Sequence, residues 1–476
     1  MPKKIRLNAF LMNTIGHVAP GLWRHPEDQT RNYRDLEFWT NVAQLSERGL
    51  FDSVFIADIA GTYDIYGGND VAALRYAAQS PINDPVVLVS AMSAVTKHIG
   101  FGITVGTSYE HPFLFARRFS TLDHITKGRI AWNIVTGFLP SFEKNQGRVT
   151  PTPHDERYDH AEEYMEVAYK LWEGSWEDDA IIENKATGHF TNPKKIHHIG
   201  HHGRYYDVPG VHLSEPSPQR TPLLFQAGAS PSGVKFAARH AEAIFIDSPT
   251  KAVIKRNVDN YRRALLEAGR SPESVVIYAG LGVITAETDE AARAKYEDYL
   301  SHASVEGALA LLSGWIGVDL SRFGLNDPLG NVEGNAILSL LTALKGENAE
   351  GETWRIRDMA KFASIGGVSP LLIGSPRRIV DALEEIAEET GVDGFNLVQI
   401  VVPGTLSDVV ELIVPELQAR DLYPTEYEEG TLRHKFFGQG DRLSSSHRAS
   451  RYRVGGDLST IGDAAERLFR TPGDRV

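Results

Sequence analysis

Short apolar, β-branched runs recur along the chain, most of them closed by Gly or Asp and each separated from the next by a stretch with helical spacing. They are Ile5–Leu11, Phe51–Ala57, Ile99–Val105, Arg129–Thr136, Leu223–Ala227, Ala243–Asp247, Val275–Val283 and Gly394–Ile400. Apolar runs without polar alternation predict strands buried on both faces. Between them the spacing predicts helices over 33–48, 86–98, 112–126, 158–173, 232–240, 253–268 and 376–390. In the first of these Leu36, Trp39, Val42, Ala43 and Leu45 share a face, and Gly49 stops the helix. Eight such strands alternating with helices predict an α/β fold, a (β/α)8 or TIM barrel.

Two stretches break the alternation. Residues 175–221 are rich in Trp, Asp, His, Gly and Pro without a sustained period, and residues 300–370 hold Gly-rich turns and polar segments. Loops of this length in a barrel are expected to be rim insertions, working as lids or mobile segments. The pattern therefore predicts one barrel domain over 1–422 carrying both insertions. A C-terminal extension over 423–476 follows, which either wraps a neighbouring subunit or frays from the surface.

Composition narrows the function. At 476 residues and 42% hydrophobic the chain can bury a large core, and its net charge of −13 with no Lys/Arg block argues against nucleic acid. The absence of cysteine removes disulfides, thiolate metal sites and Cys nucleophiles. The start Met1-Pro-Lys-Lys-Ile-Arg6 leads straight into a strand-like run, with no apolar stretch long enough for a signal peptide or membrane span. A soluble, cytoplasmic protein is the expectation.

In a barrel, chemistry gathers at the C-terminal ends of the strands. Asp58, Thr104, Asn133 to Thr136 and Gln226-Ala-Gly-Ala-Ser230 should therefore share one rim. The Gly228–Ser230 turn opens a helix whose free N–H groups suit a phosphate, although such a turn also serves as a plain strand-to-helix loop. His154 and Tyr158, four apart, can meet one bound group if a helix begins there; N-terminal capping by Asp155 is the competing reading. His197, His198, His201 and His202 cluster in the first insertion, where an exposed polar loop competes with a metal site, and no metal is expected. No Gly-x-Ser-x-Gly elbow supports a serine triad.

The strings Trp23-Arg-His-Pro26, Glu47-Arg-Gly-Leu-Phe-Asp-Ser-Val-Phe-Ile-Ala-Asp58, Ser120-Thr-Leu-Asp-His-Ile-Thr-Lys-Gly-Arg-Ile-Ala-Trp-Asn-Ile-Val-Thr136, His154-Asp-Glu-Arg-Tyr158 and Ser217-Pro-Gln-Arg-Thr-Pro-Leu-Leu-Phe-Gln-Ala-Gly228 resemble the bacterial luciferase superfamily. Within it they resemble the two-component FMN-dependent monooxygenases that include the nitrilotriacetate, dibenzothiophene-sulfone, dimethyl-sulfide and long-chain alkane enzymes. The resemblance spans roughly residues 4–440. It implies a barrel that takes reduced FMN from a separate NAD(P)H-dependent flavin reductase, activates O2 on it and oxidises a small organic substrate. It also agrees with a homodimer or homotetramer. Carried over by position, Asp58, Thr104, His154, Tyr158 and Ser230 are implied FMN contacts, with Ser230 at the phosphate; Asn133, Val135, Thr136, Ala227 and Gly228 line the isoalloxazine and ribityl groups.

The strings Ser80-Pro-Ile-Asn-Asp-Pro85, Leu171-Trp-Glu-Gly-Ser-Trp-Glu-Asp-Asp179 and Tyr427-Glu-Glu-Gly430 are most similar to the alkane and dimethyl-sulfide enzymes. His17, Tyr63 and Gln79 match positions around the reaction site there. His17 and Tyr63 are expected to donate hydrogen bonds to the activated oxygen or the substrate while Gln79 orients one of them, a loop-anchoring role for His17 being the alternative. The match departs at Thr14, Phe138 and Leu311, which stand where the alkane enzyme has a cysteine and two histidines. With Trp315 the last two would form an apolar substrate wall, pointing to a small hydrophobic or sulfur-containing compound. Two rivals share the fold: a deazaflavin-dependent dehydrogenase, which would need no oxygen, and a flavin-binding protein without turnover.

Overall fold

The computed structural model describes residues 4–148, 152–228, 230–332 and 353–454. Within them each expected apolar run becomes a strand: β1 (Arg6–Met12), β2 (Ser53–Ala57), β3 (Gly100–Gly106), β4 (Ile130–Val135), β5 (Leu223–Ala227), β6 (Ala243–Ile246), β7 (Val276–Thr285) and β8 (Gly394–Val398). Neighbours pair in parallel from β1 through β6, β8 joins β1 to β7, and the β6–β7 pairing closes the ring. The chain is therefore a closed (β/α)8 barrel. A short strand, Leu371–Gly374, extends the sheet beside the distal end of β7.

Among the helices that cover the ring are α1 (Leu36–Arg48), α2 (Pro112–Ile125), α3 (His154–Tyr169), α4 (Pro231–His240), α5 (Lys251–Glu267), α6 (Asp289–His302), α7 (Val305–Ile316), α8 (Ile356–Ala363), α9 (Pro376–Thr390) and, past the barrel, α10 (Leu432–Phe437). Two expectations shift. The helix expected over 86–98 stops at Ala94, because the N–H groups of Lys97, His98 and Ile99 all turn to the Glu47 carboxylate at 2.6–3.1 Å and feed the chain into β3. The helix expected from Tyr158 begins at His154 and widens into a π turn over Lys170–Gly174.

Inside the ring Phe10, Phe55, Phe225 and Phe245 meet edge to face, with centroids 5.0–5.9 Å apart. The base is stoppered by α10, whose Leu432 and Phe436 join that interior cluster. Its Arg433 is fully buried and bonds both Glu242 oxygens at 2.7 and 2.9 Å, together with the carbonyls of Thr221 and Pro222. The segment read as an extension thus packs on the chain's own barrel as far as Val454. A six-residue helix with so few apolar positions is too short to show a period.

The first insertion contains two antiparallel ribbons, Ile181–Asn184 with His189–Thr191 and His201–His202 with Asp207–Val208. In the second, α7 and α8 pack on each other through Leu309, Leu312, Ile356, Met359 and Ala360. Part of that insertion, residues 333–352, lies outside the described residues. Among the described residues no helix is long and apolar enough to cross a membrane.

Candidate active site

The C-terminal ends of β2, β4 and β5 surround a cavity of about 610 Å³. Asp58 enters it from β2, Val135, Thr136, Phe138 and Leu139 from β4, and Ala227, Gly228 and Ser230 from β5. The first turn of α3 adds His154, Arg157 and Tyr158, and α7 reaches over with Trp315. Ten of the residues singled out in the sequence, Asp58, Val135, Thr136, Phe138, His154, Tyr158, Ala227, Gly228, Ser230 and Trp315, therefore share this one cavity. The volume falls within the range of small-molecule and cofactor sites.

The others stand beside or behind it. Thr104 and Asn133 are opposite each other on β3 and β4; the Asn133 amide donates to the Thr104 hydroxyl at 2.8 Å, and Thr104 faces an adjoining cavity of about 530 Å³ that shares Asp58. Leu311 is buried behind the wall with Met12, Ile59 and Leu139. His17 is buried edge-on to Phe10 at 4.6 Å, and its Nδ1 has no partner. Burial pushes its imidazole down to about 3, so it is neutral through the physiological range. Tyr63 and Gln79 are buried as well: the Tyr63 hydroxyl donates to Gln79 Oε1 at 2.9 Å and accepts the Trp315 indole N–H at 3.0 Å.

At the wide end Ser230 caps α4, its Oγ accepting the Gly233 N–H at 3.1 Å. The Tyr158 hydroxyl lies over that first turn, where a Cβ on Gly233 would meet it at 2.8 Å. Asp155 does not cap α3, whose N-cap position is Pro153; it bonds His154 at 2.9 Å and Ser232 at 2.8 Å, and the His154 bond first and Ser232 second hold its carboxyl below the usual range. Asp58 moves the other way: burial, then the charge of Asp84, push it up to about 8. It therefore offers an O–H donor at neutral pH.

Three buried polar atoms at this rim have no partner: Asn133 Oδ1, Gln226 Oε1 and Arg157 Nε. A buried donor left unpaired costs about 1–3 kcal/mol, and of the three only Arg157 is on the cavity wall, where a polar ligand can meet it. Arg157 also donates to the Gly137 carbonyl. The sequence placed it within the His154-to-Tyr158 string yet gave it no role, although its spacing from His154 on a helix would have put it on the same face. Tyr109, from the turn after β3, and Phe142, from the short helix Pro140–Asn145, are also on the wall; neither segment is long enough for its apolar residues to show a period.

The histidines of the first insertion take separate carboxylates, His197 with Glu177, His201 with Glu163 and His202 with Asp207, and do not converge. Among the described residues His25, Asp298 and His302 bring ligand atoms within 4.8 Å of one another. There His25 Nδ1 takes the Glu27 N–H and Nε2 lies 2.9 Å from Asp298, so the imidazole has both nitrogens engaged.

The sequence profile of the luciferase-like monooxygenases matches residues 16–394. The dimethyl-sulfide monooxygenase of Hyphomicrobium sulfonivorans is 50% identical over 95% of this chain and 94% of its own length. The long-chain alkane monooxygenase of Geobacillus thermodenitrificans (strain NG80-2) is 48% identical over 95% of this chain and 99% of its own. The crystal structure of riboflavin lyase (RcaE) with modified FMN and its substrate riboflavin superposes with a TM-score of 0.85 at 33% identity, covering 95% of this chain and all of that one.

Proposed function

We propose, for a chain that belongs to the luciferase-like monooxygenase family, that it takes reduced FMN from a separate NAD(P)H-dependent reductase and uses O2 to oxygenate a small hydrophobic or organosulfur compound. A cytoplasmic location and a homo-oligomeric state go with that reading. The observation that carries it is the 610 Å³ cavity, in which Val135, Phe138, Leu139, Phe142 and Trp315 form an apolar wall facing the polar group of Asp58, His154, Arg157, Tyr158 and Ser230. Reduced FMN, when bound, supplies the two electrons for O2, of which one atom enters the substrate and the other leaves as water.

The residues fit such a guest. Arg157 Nε, on the cavity wall, offers an unpaired donor to a polar guest. Ser230, Tyr158 and His154 stand at the start of α4, whose N-terminal dipole favours a phosphate. Val135, Thr136, Ala227 and Gly228 line the ring and ribityl portion, and the adjacent Thr104–Asn133 bond orders the strand ends behind them. Asp58 donates a hydrogen bond while protonated. His17, neutral and dry, supplies an N–H to the reacting oxygen or the substrate, and the aromatic wall keeps water away. Leu311 backs that wall rather than forming it.

The test is to mix purified protein with reduced FMN, air and a panel of dialkyl sulfides and alkanes, and to follow oxygenated product by mass spectrometry with 18O2. One labelled oxygen per product molecule is expected. Failure to bind reduced FMN, or flavin oxidation with no product from any of the panel, would overturn the reading.

A further inference from the structure

Tyr63 sits where a catalytic phenol would be sought, but its bonds are spent. An indole N–H can only donate, so the 3.0 Å contact from Trp315 fixes the Tyr63 oxygen as acceptor. The phenol's single proton then lies on Gln79 Oε1 at 2.9 Å. Gln79 holds this position with a left-handed φ of 55°, uncommon for a residue with a side chain.

A second observation ties Tyr63 to α7. A Cβ on Gly314 would fall 2.1 Å from Tyr63 Cδ1 and 2.7 Å from Cε1, so the ring packs on the helix in the space that the missing side chain of Gly314 leaves. The next residue, Trp315, packs on the barrel interior, on the α7–α8 cluster and on the Tyr63 cluster at once, and it lines the cavity. Tyr63 also backs Phe138, with ring centroids 6.4 Å apart.

We propose that Gln79, Tyr63 and Gly314 form a latch that docks α7 on the barrel and seats Trp315 in the cavity wall, so that Tyr63 sets substrate fit through Trp315. Tyr63 is then a positioning residue and gives no proton to the reacting oxygen. The docking half stands on the contacts alone; the substrate half rests on the monooxygenase reading.

The experiment compares Tyr63→Phe, Trp315→Phe and Gln79→Ala with the parent full-length protein by hydrogen exchange of the peptide spanning α7, and by kinetics on a short and a long dialkyl sulfide. Each single variant should exchange about fivefold faster or more in α7, as expected for loss of one buried hydrogen bond in Trp315→Phe and Gln79→Ala and of two in Tyr63→Phe. The double variant Tyr63→Phe/Trp315→Phe should go no further than Tyr63→Phe alone, since Tyr63→Phe already removes both the Gln79 bond and the Trp315 bond. In all three, KM for the longer sulfide should rise by more than kcat falls. Unchanged α7 exchange in Tyr63→Phe, or a kcat loss of about a hundredfold at constant KM that Trp315→Phe does not share, would overturn the latch. If Tyr63→Phe does not fold, Trp315→Phe and Gln79→Ala report on the same chain of bonds. If the parent protein turns over neither sulfide, the functional reading fails while the exchange data still decide the docking.

Discussion

Asp58 and His17 are both buried ionisable groups, and their titrations pull stability in opposite directions. Asp58 is pushed from 3.8 up to about 8 by burial and by Asp84. Between those values the folded chain keeps a proton that the unfolded chain has released, so this residue lowers stability progressively as pH rises from about 4 to about 8. Asp58→Asn should accordingly raise the thermal midpoint at pH 8.5 and leave it nearly unchanged at pH 4. Equal shifts at both values would show that the carboxyl is not desolvated. His17 is pushed from 6.5 down to about 3 by burial, so its stability contribution is lost as pH falls through that interval. If its N–H serves the reaction, His17→Ala should cut product yield by about tenfold or more while reduced-FMN affinity, measured by fluorescence quenching, holds within about twofold. Unchanged yield would leave His17 as the anchor of its loop against Phe10.

At the scale of elements, α10 shows how much a short segment can hold. Its Arg433 satisfies Glu242 and donates to the Thr221 and Pro222 carbonyls inside a closed base. Arg433→Met would strip the buried Glu242 charge of its salt-bridge partner and leave it only the Leu224 N–H at 3.1 Å, and breaking a buried pair typically costs about 3–5 kcal/mol. Urea unfolding of Arg433→Met against the parent chain measures it; a loss below about 1 kcal/mol would mean that water reaches Glu242. The same helix marks a limit of sequence reading. Barrel strands are legible because a parallel strand buried on both faces must be almost wholly apolar, as Phe51–Ala57 and Leu223–Ala227 are. The rim follows from topology once the strands are placed, which is how Asp58, Val135 and Gly228 could be brought together in advance. Leu432 and Phe436 offered no such run, and α7 and α8 are amphipathic toward each other rather than toward the sheet. Tyr63 was visible as a candidate, but only coordinates show that its proton goes to Gln79.

The whole molecule is built unevenly along the barrel axis. The base is sealed by α10 and by Arg6, which bonds Asp52 and the carbonyls of Lys435 and Phe436. The opposite end carries adjoining cavities of about 610, 530 and 510 Å³, which share Asp58, Thr136 and Arg157 among their walls. Local opening should therefore be easiest at the rim, where unpaired polar atoms and missing contacts coincide. A flavin that fills the first cavity binds only the folded state and stabilises it by mass action, about 2.7 kcal/mol at a hundredfold excess over its Kd. That protection should be directional. Hydrogen exchange with and without saturating reduced FMN under anaerobic conditions should slow in the segments after β2, β4 and β5 and in the first turns of α3 and α4, leaving α10 as it was. Protection spread evenly over the barrel, or centred on the base, would place the flavin somewhere other than the rim.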